Sequence, residues 1–304
     1  CADGGESFAV IRSAGDTILS ADDKAGIAAI FEGVRATLEA ASARPSITVV
    51  LTTCEEQSLL GASALDPAAF DPAMFNPPTT PTAEPAPEAV PCFVLDADGR
   101  PGSIVVGAPF HYTMRATFAG RAAHAGVEPE AGASAVQMAA HAIGNMPLGR
   151  IDERTTANVG VIAGGAAVNV VPGECRIEGE CRSLYEDRVN AQRDAMTAAC
   201  EAAAARFSGT VDVAWTVDYP GILHEPDAPV VQRLARAAEA AGLASRLTVS
   251  GGGADANVLG TKGACAVTLG IGMTNFHSVD EYIAVRDLEG AARYVEAIIA
   301  EYAR

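Results

Sequence analysis

The sequence predicts an α/β protein: a mixed sheet flanked by helices, interrupted in mid-chain by an inserted α+β domain. Three observations carry that reading. Short, almost wholly apolar runs at 47–51, 90–96, 104–107 and 264–269 read as strands of a sheet covered on both faces. Segments of helical period separate them. Between 109 and 218 the pattern changes to a β-α-β-β-α-β order with alternating strands, the split-βαβ (ferredoxin-like) arrangement with helices on one face.

In chain order, 23–43 is a helix whose apolar positions Ile27, Ile30, Phe31, Val34 and Leu38 recur at helical spacing. The run 47–51 follows as a strand. Residues 66–91 mix Pro, Ala and Thr without period and read as a loop or insertion. Strands return at 90–96 and 104–107. In the insertion, 111–119 alternates as a half-buried strand and 131–146 is a helix. Strands at 155–162 and 174–184, a long helix at 187–206 and a strand at 211–218 complete it. A sheet of this kind leaves an edge open to a second copy. The first domain resumes with a helix at 230–241, a strand at 264–269 and a closing helix at 286–302. The expected division is 1–108, 109–218 and 219–304.

The 304 residues suffice for one large or two ordinary domains, and 49% hydrophobic content is that of a chain with a buried core. A net charge of −17 argues against a nucleic-acid partner, because neutralising phosphates needs lysine and arginine in excess. No apolar run reaches transmembrane length, so no membrane partner is expected. The seven cysteines lack CxxC spacing. Cys175 and Cys181 fall on one face of a predicted strand, too far apart to pair. A reducing, cytoplasmic location follows as the simpler reading.

The chemistry concentrates at Glu55-Glu56, behind the apolar run 47–51. Adjacent carboxylates there are costly unless a cation lies between them or a proton is shared. Asp22-Asp23 opens the first helix, where the ordinary reading is a cap with a favourable charge at the helix dipole. Asp96 ends another strand, and His277 follows the glycine-rich exit of a third. Ends of several strands converge at one edge of an open sheet. Carboxylate oxygens and imidazole suit zinc or a similar divalent ion. One glutamate can bind metal while its neighbour moves protons. Asp98 reads as a turn residue; the remaining positions of a calcium loop are absent. His111, His141 and His224 have no motif about them.

Seven stretches, in this order, resemble the M20 family of zinc peptidases, most closely its tripeptidase (peptidase T-like) branch. They are Gly15-Asp-Thr-Ile-Leu-Ser-Ala-Asp-Asp-Lys-Ala-Gly26, Thr53-Cys-Glu-Glu-Gln-Ser-Leu-Leu-Gly-Ala62, Leu95-Asp-Ala-Asp-Gly99, Gly120-Arg-Ala-Ala-His-Ala-Gly126, Ala166-Ala-Val-Asn-Val-Val-Pro172, Ser250-Gly-Gly-Gly-Ala-Asp255 and Asn275-Phe-His-Ser-Val-Asp-Glu281. Each is weak alone; together they cover nearly the whole chain. The resemblance implies a mixed-sheet zinc-exopeptidase catalytic domain with an inserted lid or dimerisation domain. It implies two zinc ions, with cobalt or manganese as substitutes.

By resemblance, Asp22 bridges the two ions, Glu56, Asp96 and His277 are further ligands, and Glu55 is the general base and acid. The peptide after the bridging aspartate is often cis in that family. His124 is implied to reach a partner subunit's site and polarise the scissile carbonyl, which makes a homodimer through the inserted domain the expected assembly. Asn169, Arg182 and Gly252 are candidates for substrate binding: a terminal carboxylate wants an arginine fork or amide donors, and the glycines allow close approach. Arg182 is equally well an ordinary strand arginine. Glu281 can hold the second ring nitrogen of His277 or another site group. Family members carry a further N-terminal His-x-Asp motif. The chain starts at Cys1 without one, and the expectation is an N-terminally truncated sequence.

The leading expectation is a zinc-dependent exopeptidase on di- or tripeptides. The same motifs serve an amidohydrolase that deacylates N-acyl amino acids. A non-catalytic, dimer-forming remnant is the reading from another class.

Overall fold

The computed structural model describes residues 2–3, 6–40, 44–70 and 89–303. They form two compact units, Cys1–Ala108 with Ile222–Arg304, and Pro109–Gly221. In chain order the first unit opens with a minimal hairpin, β1 (Ala2–Asp3) and β2 (Glu6–Ser7), then β3 (Val10–Arg12), α1 (Ala21–Glu39), α2 (Leu60–Ala64), β4 (Val90–Ala97) and β5 (Ser103–Ala108). The second holds β6 (Phe110–Ala119), α3 (Ala135–Asn145), β7 (Gly149–Arg150), β8 (Thr155–Gly164), β9 (Glu174–Ser183), α4 (Glu186–Arg206) and β10 (Thr210–Tyr219). The first unit resumes with β11 (Ile222–Leu223), α5 (Pro229–Ala240), β12 (Arg246–Val249), α6 (Asp255–Thr261), β13 (Ala264–Gly270), β14 (Met273–Thr274), β15 (Tyr282–Ala284) and α7 (Val285–Glu301).

The main sheet of the first unit is mixed. β4 runs parallel to β13, β13 antiparallel to β5, and β5 carries β12 in parallel and β11 in antiparallel pairing. β5 is buried along its whole length and β13 nearly so, which is why both read as apolar runs without alternation. Because β4 and β13 are parallel, Asp96 at the end of one and the segment leading to His277 from the other leave the sheet at the same edge. A small antiparallel sheet, β14-β15-β3, follows that exit.

Helix α1 departs from the expectation. Its buried side is Ala21, Ala25, Gly26, Ala29, Gly33 and Thr37, while Ile27, Phe31 and Leu38 are exposed. The cause is the closeness of α7: a Cβ on Gly33 would lie 2.6 Å from that of Val295, so small residues take the inner face. Gly33→Leu is therefore expected to destabilise the protein by about 1–3 kcal/mol through overpacking. An unchanged urea midpoint would show that the two helices do not pack this way.

The expected strand 47–51 does not form. The segment is without strand pairing, and Leu51 is 52% exposed. An apolar run becomes a strand only where a neighbour supplies backbone donors and acceptors, and among the described residues none does. With α1 it borders a cavity of about 610 Å³ lined by Val34, Leu38, Ile47 and Val49. Of the expected loop 66–91, Pro67–Phe70 forms a short 3-10 helix that buries Phe70, and 71–88 lie outside the described residues.

The second unit is an antiparallel sheet of order β10-β6-β9-β8-β7. Without the two-residue β7, it is the split-βαβ arrangement. Alternation decides its faces: Tyr112, Met114, Ala116 and Phe118 on β6, and Cys175, Ile177 and Cys181 on β9, enter a core shared with α3 and α4. Both cysteines are free thiols. β7 pairs only with Thr156 and Ala157, so the rest of that side of β8 is open among the described residues, with Ile162 exposed. No helix among the described residues is long and apolar enough to cross a membrane.

Candidate metal centre

Asp22, Glu56 and His277, separated by up to 255 residues, meet with one ligand atom each inside 4.8 Å. His277 Nε2 lies 2.9 Å from Asp22 Oδ2 and 2.7 Å from Glu56 Oε1. Asp96 joins them through a side-chain hydrogen bond with Asp22 and lies outside the group of three. Asp22 is thus bonded both to His277 and to Asp96.

Each candidate ligand is held by an unusual piece of backbone. Asp22 and Asp23 interrupt the first turn of α1 with non-helical angles, the peptide between them is cis, and Ser20 before them is left-handed at φ 57°. Asp23 accepts from Gly26 N–H at 3.0 Å. Glu55 and Glu56 sit in a tight turn between left-handed Cys54 and Leu59. That turn closes by Leu60 N–H to Cys54 and Gly61 N–H to Thr53. Gly61 is required because a Cβ would lie 2.6 Å from the Thr53 nitrogen. Left-handed Asn275 and His277 make the third turn.

Charge at this centre is one-sided. Burial, then Asp22 and Glu55, push Asp23 from 3.8 to about 8, against the bond from Gly26. Burial, then Glu56, Asp255 and Asp22, lift Glu55 to about 7. Asp96 is raised by burial and by Asp23, Glu55 and Asp22. His277 loses something to burial, but Glu56 and Asp22 outweigh that and hold its proton. A set of carboxylate oxygens with one imidazole that resists its own negative charge fits a divalent cation, whose charge would remove the repulsion.

The sign of the pH effect follows. With folded-state values raised, the native protein holds protons that the unfolded chain has released above about pH 4. Metal-free protein should therefore lose stability as pH rises from about 4 to 8. The stabilisation by added zinc should widen over the same range, because ligands must shed protons. Urea midpoints in chelator that climb over that range would contradict the one-sided charge.

Asp255, only 5% exposed, accepts a hydrogen bond from Thr52 at the base of the Glu55 turn; its other oxygen is buried without a partner, and burial raises its pKa. This link spans 203 residues, and no local pattern could have revealed it. Gly252 donates to Ser250 Oγ in the loop ahead of α6. In the second unit, exposed His124 lies in a loop laced to the next: Ala125 N–H bonds Asn169 O, and Val171 N–H bonds Ala123 O. His124 and Asn169 are thus neighbours. Arg182 bonds Glu180 at 2.9 Å and Tyr219 at 3.4 Å. His111, which had no motif about it, lies 2.7 Å from Glu180.

A mixed sheet interrupted by a split-βαβ unit, with carboxylates and an imidazole gathered beside it, is an α/β fold that carries a candidate metal centre. Residues 111–208 match the peptidase dimerisation domain, M20_dimer. The chain is 39% identical to aminopeptidase PepT from Bacillus cereus, covering 99% of this chain and 78% of that one, with a TM-score of 0.86. A tripeptidase from Staphylococcus aureus gives 33% identity, the same two coverages and a TM-score of 0.86. The uncharacterized protein YqjE of Bacillus subtilis is 41% identical across 97% of this chain and 75% of its own length. The chain belongs to the M20 family of peptidases.

Proposed function

We propose that this protein is a zinc-dependent exopeptidase that cleaves tripeptides. The observation that carries the reading is the meeting of Asp22, Glu56 and His277, with Asp96 hydrogen-bonded to Asp22. Those four residues would hold the metal, Asp22 shared between two positions. Zinc, with cobalt or manganese as substitutes, would supply Lewis acidity toward the scissile carbonyl and its water. Glu55 contributes the proton traffic. Burial, the largest cause of its raised pKa, makes its carboxyl a better proton acceptor than an ordinary glutamate, suited to taking a proton from water and giving it to the leaving amine. Glu55 is outside the group of three, so its oxygens stay available for that task.

The similarity along 99% of the chain to an aminopeptidase and a tripeptidase favours peptides over N-acyl amino acids. His124, Asn169 and Arg182 of the dimerisation domain are the proposed contacts for the substrate's carbonyl and terminal carboxylate, with Gly252 presenting backbone to it. The open side of β8 supports a homodimer built by that domain. The absence of disulfides among the described cysteines supports a reducing, cytoplasmic setting.

The test is a substrate panel on the complete gene product carrying this chain, loaded with zinc. Tripeptides with a free amino terminus should be cleaved at least tenfold faster than N-acetyl and N-succinyl amino acids. The reverse order would favour the deacylase. No zinc-dependent turnover on either group would favour the non-catalytic, dimer-forming reading.

A further inference from the structure

Glu281 is among the largest fully buried side chains of the protein, at 1% exposure. A buried carboxylate without compensation is costly, by several kcal/mol. Its compensation here is two backbone donors rather than a side chain. Ser20 N–H reaches Oε2 at 2.6 Å and Asp22 N–H reaches Oε1 at 3.0 Å. Both are charge-assisted bonds, the stronger kind. They fall on the residues that need fixing: Ser20, left-handed, and Asp22, whose side chain meets His277. Glu281 also ends the turn that begins beside His277, with its own N–H bonded to Ser278 O at 3.2 Å. One carboxylate therefore ties the segment carrying His277 to the segment carrying Asp22.

We infer that Glu281 is a positioning residue of the metal centre: it sets the Asp22 carboxylate against His277 by gripping the backbone of Ser20 and Asp22. Both of its oxygens are used in this grip, which answers what the sequence left open about its role. The geometry also explains why a negative group is buried beside an already negative site. Two aligned N–H groups reward an acceptor pair, and a glutamine would turn an NH₂ toward one of them. The inference rests on the metal reading above, and its test separates the two.

Zinc affinity is measured by chelator competition on the complete gene product, for the native protein and for Glu281→Gln, with the chelated thermal midpoint recorded alongside. Removing a group that orients a ligand costs typically 10–100-fold in metal affinity. The expected result is a Kd weakened by about that factor at a temperature where both proteins are folded. Glu281→Asp, which keeps the charge and both acceptors, should recover part of the loss. If Glu281→Gln does not fold, Glu281→Asp alone is compared with native, and a several-fold weakening is expected. Native zinc affinity in whichever folded variant is measured, whatever its midpoint, would reduce Glu281 to a purely structural residue. A native protein that binds no zinc would instead overturn the metal reading itself, and the inference with it.

Discussion

Glu55→Gln in the complete gene product should lower kcat by about 10²–10⁴-fold while leaving zinc affinity within a few-fold of native. The amide keeps the size of the carboxyl and its place in the turn, closed by Leu59 N–H to Glu55 O at 2.9 Å. It cannot take up and return a proton. Metal binding should survive because Glu55 is not in the group formed by Asp22, Glu56 and His277. Glu56→Gln is the contrasting change, since it weakens a proposed ligand and should reduce zinc affinity first. Single-turnover measurements at saturating zinc separate the two effects. A Glu55→Gln protein with kcat within threefold of native would remove Glu55 from the proposed mechanism.

His124→Ala should lower kcat by about 10²–10³-fold, the cost of losing one donor to a developing oxyanion, with zinc affinity unchanged. The sharper result is expected on mixing. We propose, as the family resemblance implies, that the base and this histidine act from different chains of a homodimer, so a heterodimer of Glu55→Gln and His124→Ala subunits contains one site with both groups intact. After subunit exchange, verified by mass or by fluorescence transfer, activity should rise well above that of either parent. A mixture that exchanges subunits and gains nothing would mean His124 does not act across the boundary. KM should change less than kcat, because a group that bonds the oxyanion acts mainly in the transition state.

Much of this protein is legible in its residues. β5 and β13 announce themselves because burial on both faces leaves no room for polar alternation. β6 and β9 do so because a half-buried strand must alternate. The candidate ligands stand out for a related reason: an acid or histidine at the end of an apolar run has few structural uses.

What the sequence could not decide has one common cause: it depends on a neighbour distant along the chain. The face that α1 buries was set by the nearness of α7, which admits Gly33 and Ala29 and excludes Phe31. Residues 47–51 have every local mark of a strand, but a strand exists only with a partner for its backbone. From its local pattern alone Asp22 is an ordinary helix cap; resemblance implied a ligand, and the fold sets it 2.9 Å from His277. The sequence placed Glu281 near the site without naming its partner, and the bonds that Glu281 and Asp255 make exist only because the fold presents Ser20, Asp22 and Thr52 to them. Residue type and local period determined the class of fold and the pool of chemical groups. Tertiary structure decided which acids meet at the candidate centre and which brace the chain around it, because a buried charge is defined by what surrounds it.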